Sequence, residues 1–408
     1  MSATRRQPRT SRVGPSDVET THIRVRELGT TADELTLTVS TGERLRFNRF
    51  WLRHNCPSIG QRASLFRSFS MADLADDLSL LDATTTASGD HVEISFSDGT
   101  RDTFAVDWLL DRHQTVTDVT TAVVTWRAGD ELPRLPFADL GLRSAGQLGL
   151  LEAVARTGAA LVTGVPDAAA TETLAALLGP IRETDFGRIF DIVSEPDAFT
   201  PSQTADALDP HTDDPYRYNP AGVSILHCVV PSAAGGGSSI VDGFAVAEDI
   251  RRAAPDDFDL LSTVPVDFAH RRDETVDQGD EVHLLASAPI IATDRRGDPC
   301  GIRFHERAMG VLSVDADLAE RLYPAMRRFA RAVRGDDYRW HRALRAGEAL
   351  VYDNQRVLHG RDGFDAASRR HLRLCTVDRD QVHSRLRRLR AHFGTGTEHQ
   401  PLPSGNLS

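Results

Sequence analysis

Residues 210–218 read PHTDDPYRY. His211 and Asp213 stand two apart, between a proline and an aromatic run. In an extended strand, residues i and i+2 project to the same face, so an imidazole and a carboxylate are offered to one space. Taken alone, this is either part of a metal site or a polar turn that contains a histidine. The stretch GEALVYDNQRVLHGRDGF, residues 347–364, strengthens the first reading. There an apolar strand ends in a turn, and a second histidine, His359, sits just before Gly360. Further on, Arg370 opens another apolar run in SRRHLRLCTVDRD.

Two imidazoles and one carboxylate on one face of a metal leave three positions open, the arrangement of non-haem Fe(II) oxygenases. Two open positions suit a 2-oxo acid and the third suits dioxygen. The far carboxylate of the 2-oxo acid then needs a cation. An arginine forks onto it through two parallel hydrogen bonds, and a Ser or Thr hydroxyl often completes the grip.

Around these stretches the chain reads as an ordinary soluble protein. It has 408 residues, 40% hydrophobic and 26% charged, enough for more than one domain and a large core. A formal net charge of −12 argues against binding a nucleic acid polymer or an anionic membrane surface. The four cysteines, Cys56, Cys228, Cys300 and Cys375, are far apart and form no CxxC pair, which fits a reducing cytoplasm. The basic N-terminus lacks an apolar signal core, and no apolar run is long enough to span a membrane.

Composition divides the chain into four parts. Residues 1–20 and 395–408 are polar and expected to be disordered. Residues 21–125 show period-two alternation, with turns at Thr41-Gly42 and Asp98-Gly99, and read as a small β-domain. Residues 126–394 read as a larger, mostly β domain with flanking helices. Thr171 is expected to cap one helix that Gly179 ends, and DADLAERLYPAMRRFARAVRG is a longer helix with an internal proline.

The blocks HTDDPYRYNPAGVSILHCV, GGGSSIVDGFAVAEDI, ALVYDNQRVLHGRDGF and RRHLRLCTVDRDQVHSRLRRL make the chain, over residues 22–392, resemble one family. It is similar to the γ-butyrobetaine and trimethyllysine hydroxylase branch of the taurine-dioxygenase-like (TauD/TfdA) Fe(II)/2-oxoglutarate oxygenases. The resemblance implies a double-stranded β-helix, or jelly roll, behind the small β-domain. It implies that His211, Asp213 and His359 hold iron, and that Arg370, assisted by Ser238, binds the distal carboxylate of 2-oxoglutarate. Dioxygen is the other cosubstrate, with ascorbate as an expected helper. Asn354 and Arg356 match family positions, where they are expected to shape the turn before His359.

Two departures limit the resemblance. WLRHNCPSIGQR looks like the family segment that holds a structural zinc, but only Cys56 remains, with Ser58 and Gln61 at the other cysteine positions. Structural zinc needs four N or S ligands, so no zinc is expected. The second departure is at the positions that build an aromatic cage around a quaternary ammonium. These hold Phe186, Phe190, Gln203, Asp214 and Thr376, with Tyr216 and Tyr218 as substitute rings. Arg188 and Arg217 offer charge for an anion, such as a nucleotide or another phosphate ester, and Asp214 offers charge for an amine.

The sequence therefore predicts an Fe(II)/2-oxoglutarate dioxygenase that oxidises a C–H bond of a small polar metabolite. A γ-butyrobetaine-like or amino-acid hydroxylase is the alternative. A non-catalytic jelly-roll binding protein is the alternative of another class, and the small domain is a candidate homodimerisation module.

Overall fold

A computed structural model describes residues 23–58, 69–113, 123–193, 204–272, 281–294, 296–365 and 368–395. The expected disorder of both termini, and Gln61 and Gln203, lie outside these residues. The chain divides into two compact units, residues 1–118 and 119–408.

The first unit holds two three-stranded antiparallel sheets. Val25–Thr30, Glu34–Val39 and Arg44–Asn48 form one, and Leu80–Thr85, His91–Phe96 and Arg101–Ala105 form the other. Alternation decides their faces: Leu35, Leu37 and Val39 are buried, while Thr36 and Thr38 between them are only half-buried. Gly42 and Gly99 take the left-handed conformation that the tight hairpin turns require.

The second unit is a jelly roll built on two sheets. The larger has the strand order Arg134–Pro136, Ala159–Thr163, Glu348–Asp353, Val223–Val230, His371–Val377, Phe190–Val193. The smaller runs Leu208–His211, Val357–Arg361, Ser238–Asp242, Arg339–Arg342. The Val223–Val230 strand is buried from Val223 to Cys228 because both its faces are covered there. Val223 and Ile225 pack outward beneath the helices Ala145–Thr157, Ala170–Leu178 and Arg379–Phe393. Ser224 and Leu226 face inward and line a cavity to which strands of both sheets contribute.

Thr171 does not cap its helix. The helix begins at Ala170, and the Thr171 hydroxyl donates to the Ala168 carbonyl and lies 2.8 Å from His227 Nδ1. Gly179 does end it. The long helix Ala316–Arg334 is capped by Asp315, whose Oδ1 accepts from the Leu318 amide at 2.7 Å. Among the described residues no helix is long and apolar enough to cross a membrane.

Candidate active site and metal centre

His211 closes its strand and pairs directly with His359 of the neighbouring strand. Their ring centroids lie 4.4 Å apart. Gly360 permits this approach, since a Cβ there would sit 2.7 Å from the Leu208 carbonyl oxygen and 3.1 Å from Pro210 N. Asp213 turns its carboxylate into the same space. Oδ1 is 3.6 Å from His211 Nε2, and Oδ2 is 3.5 Å from His359 Nε2. One donor atom from each of the three lies within 4.8 Å of the others.

The protonation states suit a cation. His211 Nδ1 lies 2.8 Å from the Asp209 carbonyl, which can only accept, so Nδ1 carries the proton and Nε2 presents its lone pair. Burial pushes His359 down to about 4, against the opposing pull of Asp213. Burial alone would push the Asp213 carboxyl up, but the His359 and His211 imidazoles outweigh it and hold it well below the usual range. Metal ligation needs these forms, an ionised carboxylate and unprotonated imidazole nitrogens. Two imidazoles and one carboxylate fit a non-haem iron.

Arg370 and Ser238 are both buried and both line the cavity. The Arg370 guanidinium has no carboxylate partner among the described residues. Burial, with nearby Arg361 adding to it, pushes it down to about 10. Its carbon lies 5.3 Å from the Phe364 ring centroid. The loop behind it is pinned, with the Ser368 hydroxyl accepting from the Ala233 amide at 2.8 Å. Gly236, left-handed at φ 67°, leaves room for the arginine: a Cβ there would meet Phe364 Cβ at 3.3 Å and Arg370 Nε at 3.5 Å. A buried, unpaired guanidinium facing a cavity is costly unless an anion arrives, which suits a carboxylate ligand.

At the substrate end, Phe186, Arg188, Phe190 and Asp214 line the cavity, whose volume is about 340 Å³. The two phenylalanine centroids are 5.3 Å apart. Arg217, expected to face a substrate, does not line the cavity. Its guanidinium turns to Asp185 and Asp214, the latter at 3.2 Å, because two acids beside it compete better than open solvent. Asp214, expected to be free for an amine, is engaged by Arg217 and by the Tyr216 hydroxyl, which donates at 3.0 Å. Tyr216 lines the cavity but stacks on His270, with centroids 4.7 Å apart. Tyr218 is 88% exposed and is not part of the lining. Thr376 lines the cavity and donates to the Val223 carbonyl at 3.3 Å.

Several lining residues were not anticipated, His270, His305 and Arg307 among them. The His305 ring sits 4.3 Å from that of His211, and its Nδ1 is buried without a hydrogen-bond partner. Arg307 has no ion pair among the described residues. The run FHERA carries no spacing that separates it from a surface loop.

The family model for taurine catabolism dioxygenase TauD, TfdA family, matches residues 116–376. A γ-butyrobetaine dioxygenase of Pseudomonas sp. (strain AK-1) is 33% identical over 365 residues, covering 87% of this chain and 93% of that protein. The mitochondrial trimethyllysine dioxygenase of Rattus norvegicus is 30% identical over 357 residues, covering 85% of this chain and 84% of its own. Among solved structures, an asparagine oxygenase in complex with Fe(II), 2S,3S-3-hydroxyasparagine and succinate superposes with a TM-score of 0.43 at 20% identity. That match covers 54% of this chain and 74% of the other. The chain therefore belongs to the TauD, TfdA family of dioxygenases.

Proposed function

We propose that the protein is an Fe(II)- and 2-oxoglutarate-dependent dioxygenase that oxidises a C–H bond of a small metabolite carrying an anionic group. In this reading His211, Asp213 and His359 hold the iron, and Arg370 with Ser238 holds the distal carboxylate of 2-oxoglutarate. Bound iron supplies the place where dioxygen and 2-oxoglutarate react to give succinate, carbon dioxide and an oxidant able to take hydrogen from carbon. The chain's own residues do the positioning. Paired strands fix the two imidazoles, and Arg370 aligns the 2-oxo acid. The apolar walls Ile192, Leu226, Leu372 and Leu374 exclude water from the space between the sheets.

The substrate class rests on the charge left over. With Asp213 and Arg370 assigned, Asp214 is already satisfied, and Arg188 and Arg307 line the cavity with no ion pair among the described residues. That balance favours an anion. γ-Butyrobetaine and trimethyllysine also carry a carboxylate, so the rings discriminate. A quaternary ammonium needs several ring faces around it. Here Phe186 and Phe190 supply two, and His270 covers one face of Tyr216.

The test is succinate formation at matched concentrations of γ-butyrobetaine, trimethyllysine, carboxylic acids and phosphate esters. We expect the two quaternary ammonium compounds to be turned over poorly and an acid or phosphate ester well. Efficient hydroxylation of γ-butyrobetaine rejects the substrate reading, and turnover of amines alone moves recognition to Asp214.

A further inference from the structure

Asn354 is fully buried in the turn where the chain passes from the larger sheet, at Asp353, to the smaller, at Val357. Its side chain grips the main chain of Asp213 from both sides. Oδ1 accepts from the Asp213 amide at 2.8 Å, and Nδ2 donates to the Asp213 carbonyl at 3.0 Å. Nδ2 also reaches the Ala221 carbonyl at 3.1 Å, and the Asn354 amide donates to the Gly222 carbonyl at 2.9 Å. One residue thus ties the Asp213 loop to the start of the Val223–Val230 strand and to the turn that launches His359.

The far side of the same loop is held too. The Thr212 amide donates to the Phe304 carbonyl at 2.8 Å, and the Phe304 amide donates to the Thr212 hydroxyl at 3.0 Å. The bend that follows is sharp, with Asp214 in the left-handed region at φ 56°. The Asp213 carboxylate faces the two imidazoles at 3.5 and 3.6 Å and takes its position from its main chain. An aspartate side chain is short, so fixing its two flanking peptide groups fixes where the carboxylate can go.

We infer that Asn354 is a positioning residue of the metal site: by clasping the Asp213 peptide groups it presents the carboxylate ligand in register with His359. The inference rests on the metal reading of His211, Asp213 and His359. It goes beyond a turn-shaping role, because turn shape alone does not require a grip on a residue so distant in sequence.

The experiment is a Co(II) titration of metal-free full-length protein, followed by visible absorbance, with Asn354→Ala placed in the natural and the Asp213→Ala backgrounds. Loss of a group that orients a ligand typically weakens metal binding about 10- to 100-fold. That loss is expected in the natural background and should nearly vanish without Asp213. Should Asn354→Ala not accumulate as folded protein, Asn354→Ser is carried through the same cycle. Unchanged Co(II) affinity in the single variant, or an equal loss in both backgrounds, overturns the inference. Failure of the unsubstituted protein to bind Co(II) instead overturns the metal reading beneath it.

Discussion

In the unit 119–408, two histidines arrive on paired strands and an aspartate arrives on a loop clasped from two sides. In the unit 1–118, the segment that resembles a zinc-binding one brings a single buried thiol. Several residues around that thiol are engaged with one another. The Ser58 amide and hydroxyl both donate to Asp102 Oδ2, at 2.7 and 2.5 Å, and Arg53 Nε pairs with Asp98 at 2.6 Å. Burial, and then the Asp102 charge, push the Cys56 thiol up to about 12, far from the thiolate that ligates metal. A ligand-capable residue type is therefore not enough. The neighbours decide whether its donor atom is deprotonated and left free to coordinate.

The largest expected effect breaks the first half of this contrast. Asp213→Ala or His359→Ala should take succinate formation below detection and lower the iron retained on purification. An Asp213→Ala protein with full activity and full iron content, in buffer free of small anions, would end the assignment.

Arg370→Ala comes next. It leaves a bound carboxylate without its fork in a buried pocket, a loss of roughly 2–5 kcal/mol. The apparent constant for 2-oxoglutarate should rise roughly 30- to 5,000-fold, while iron binding stays intact. An unchanged constant would transfer the role to Arg361, which lines the same cavity and whose guanidinium carbon lies 5.1 Å from the Phe364 ring centroid.

These residues were legible in the sequence because period-two geometry and chain order express them: HxD, a later histidine, then an arginine. A mostly β core with flanking helices was legible from the strand patterns, and the jelly roll from the family resemblance. The substrate end was not. Arg217 and Arg188 look alike in sequence, yet Arg217 is captured by Asp185, a residue brought beside it only by the fold. Asn354 could be placed in a turn, but its grip on Asp213 depends on two loops meeting, which no local pattern encodes. His305 reaches the site because the Phe304–Thr212 hydrogen bonds hold its segment against the metal loop.

A smaller effect tests the substrate end. Arg188 and Arg307 are exposed at the cavity wall, so solvent screens them and each contributes modestly. Arg188→Ala and Arg307→Ala should each raise the apparent constant for an anionic substrate by about three- to tenfold. Consumption of 2-oxoglutarate without substrate should be unchanged, since other residues hold iron and cosubstrate. A matched neutral substrate should not feel either change, and equal losses for both substrates would return the arginines to the surface.

The smallest expected effect sharpens the second half of the contrast. Cys56 is 2% exposed and packs in the core of the first unit beside Leu52, so its replacement by alanine removes one buried sulfur and little else. The cost should be about 1 kcal/mol, the scale of one buried methylene-sized group. If instead Cys56 ligated a zinc ion, the substitution would remove metal binding as well as packing, and the unit would lose far more stability. Metal analysis of the protein purified without added zinc, alongside denaturant unfolding of Cys56→Ala, separates the two cases. We expect one iron-type site per chain, the same in both proteins, and a modest shift in the unfolding midpoint. Stoichiometric zinc that resists chelation and disappears with Cys56 would mean that the thiol is ionised in the folded protein. The hydrogen bonds of Ser58 to Asp102 would then have to give way to ligands, and the contrast between the two units would collapse.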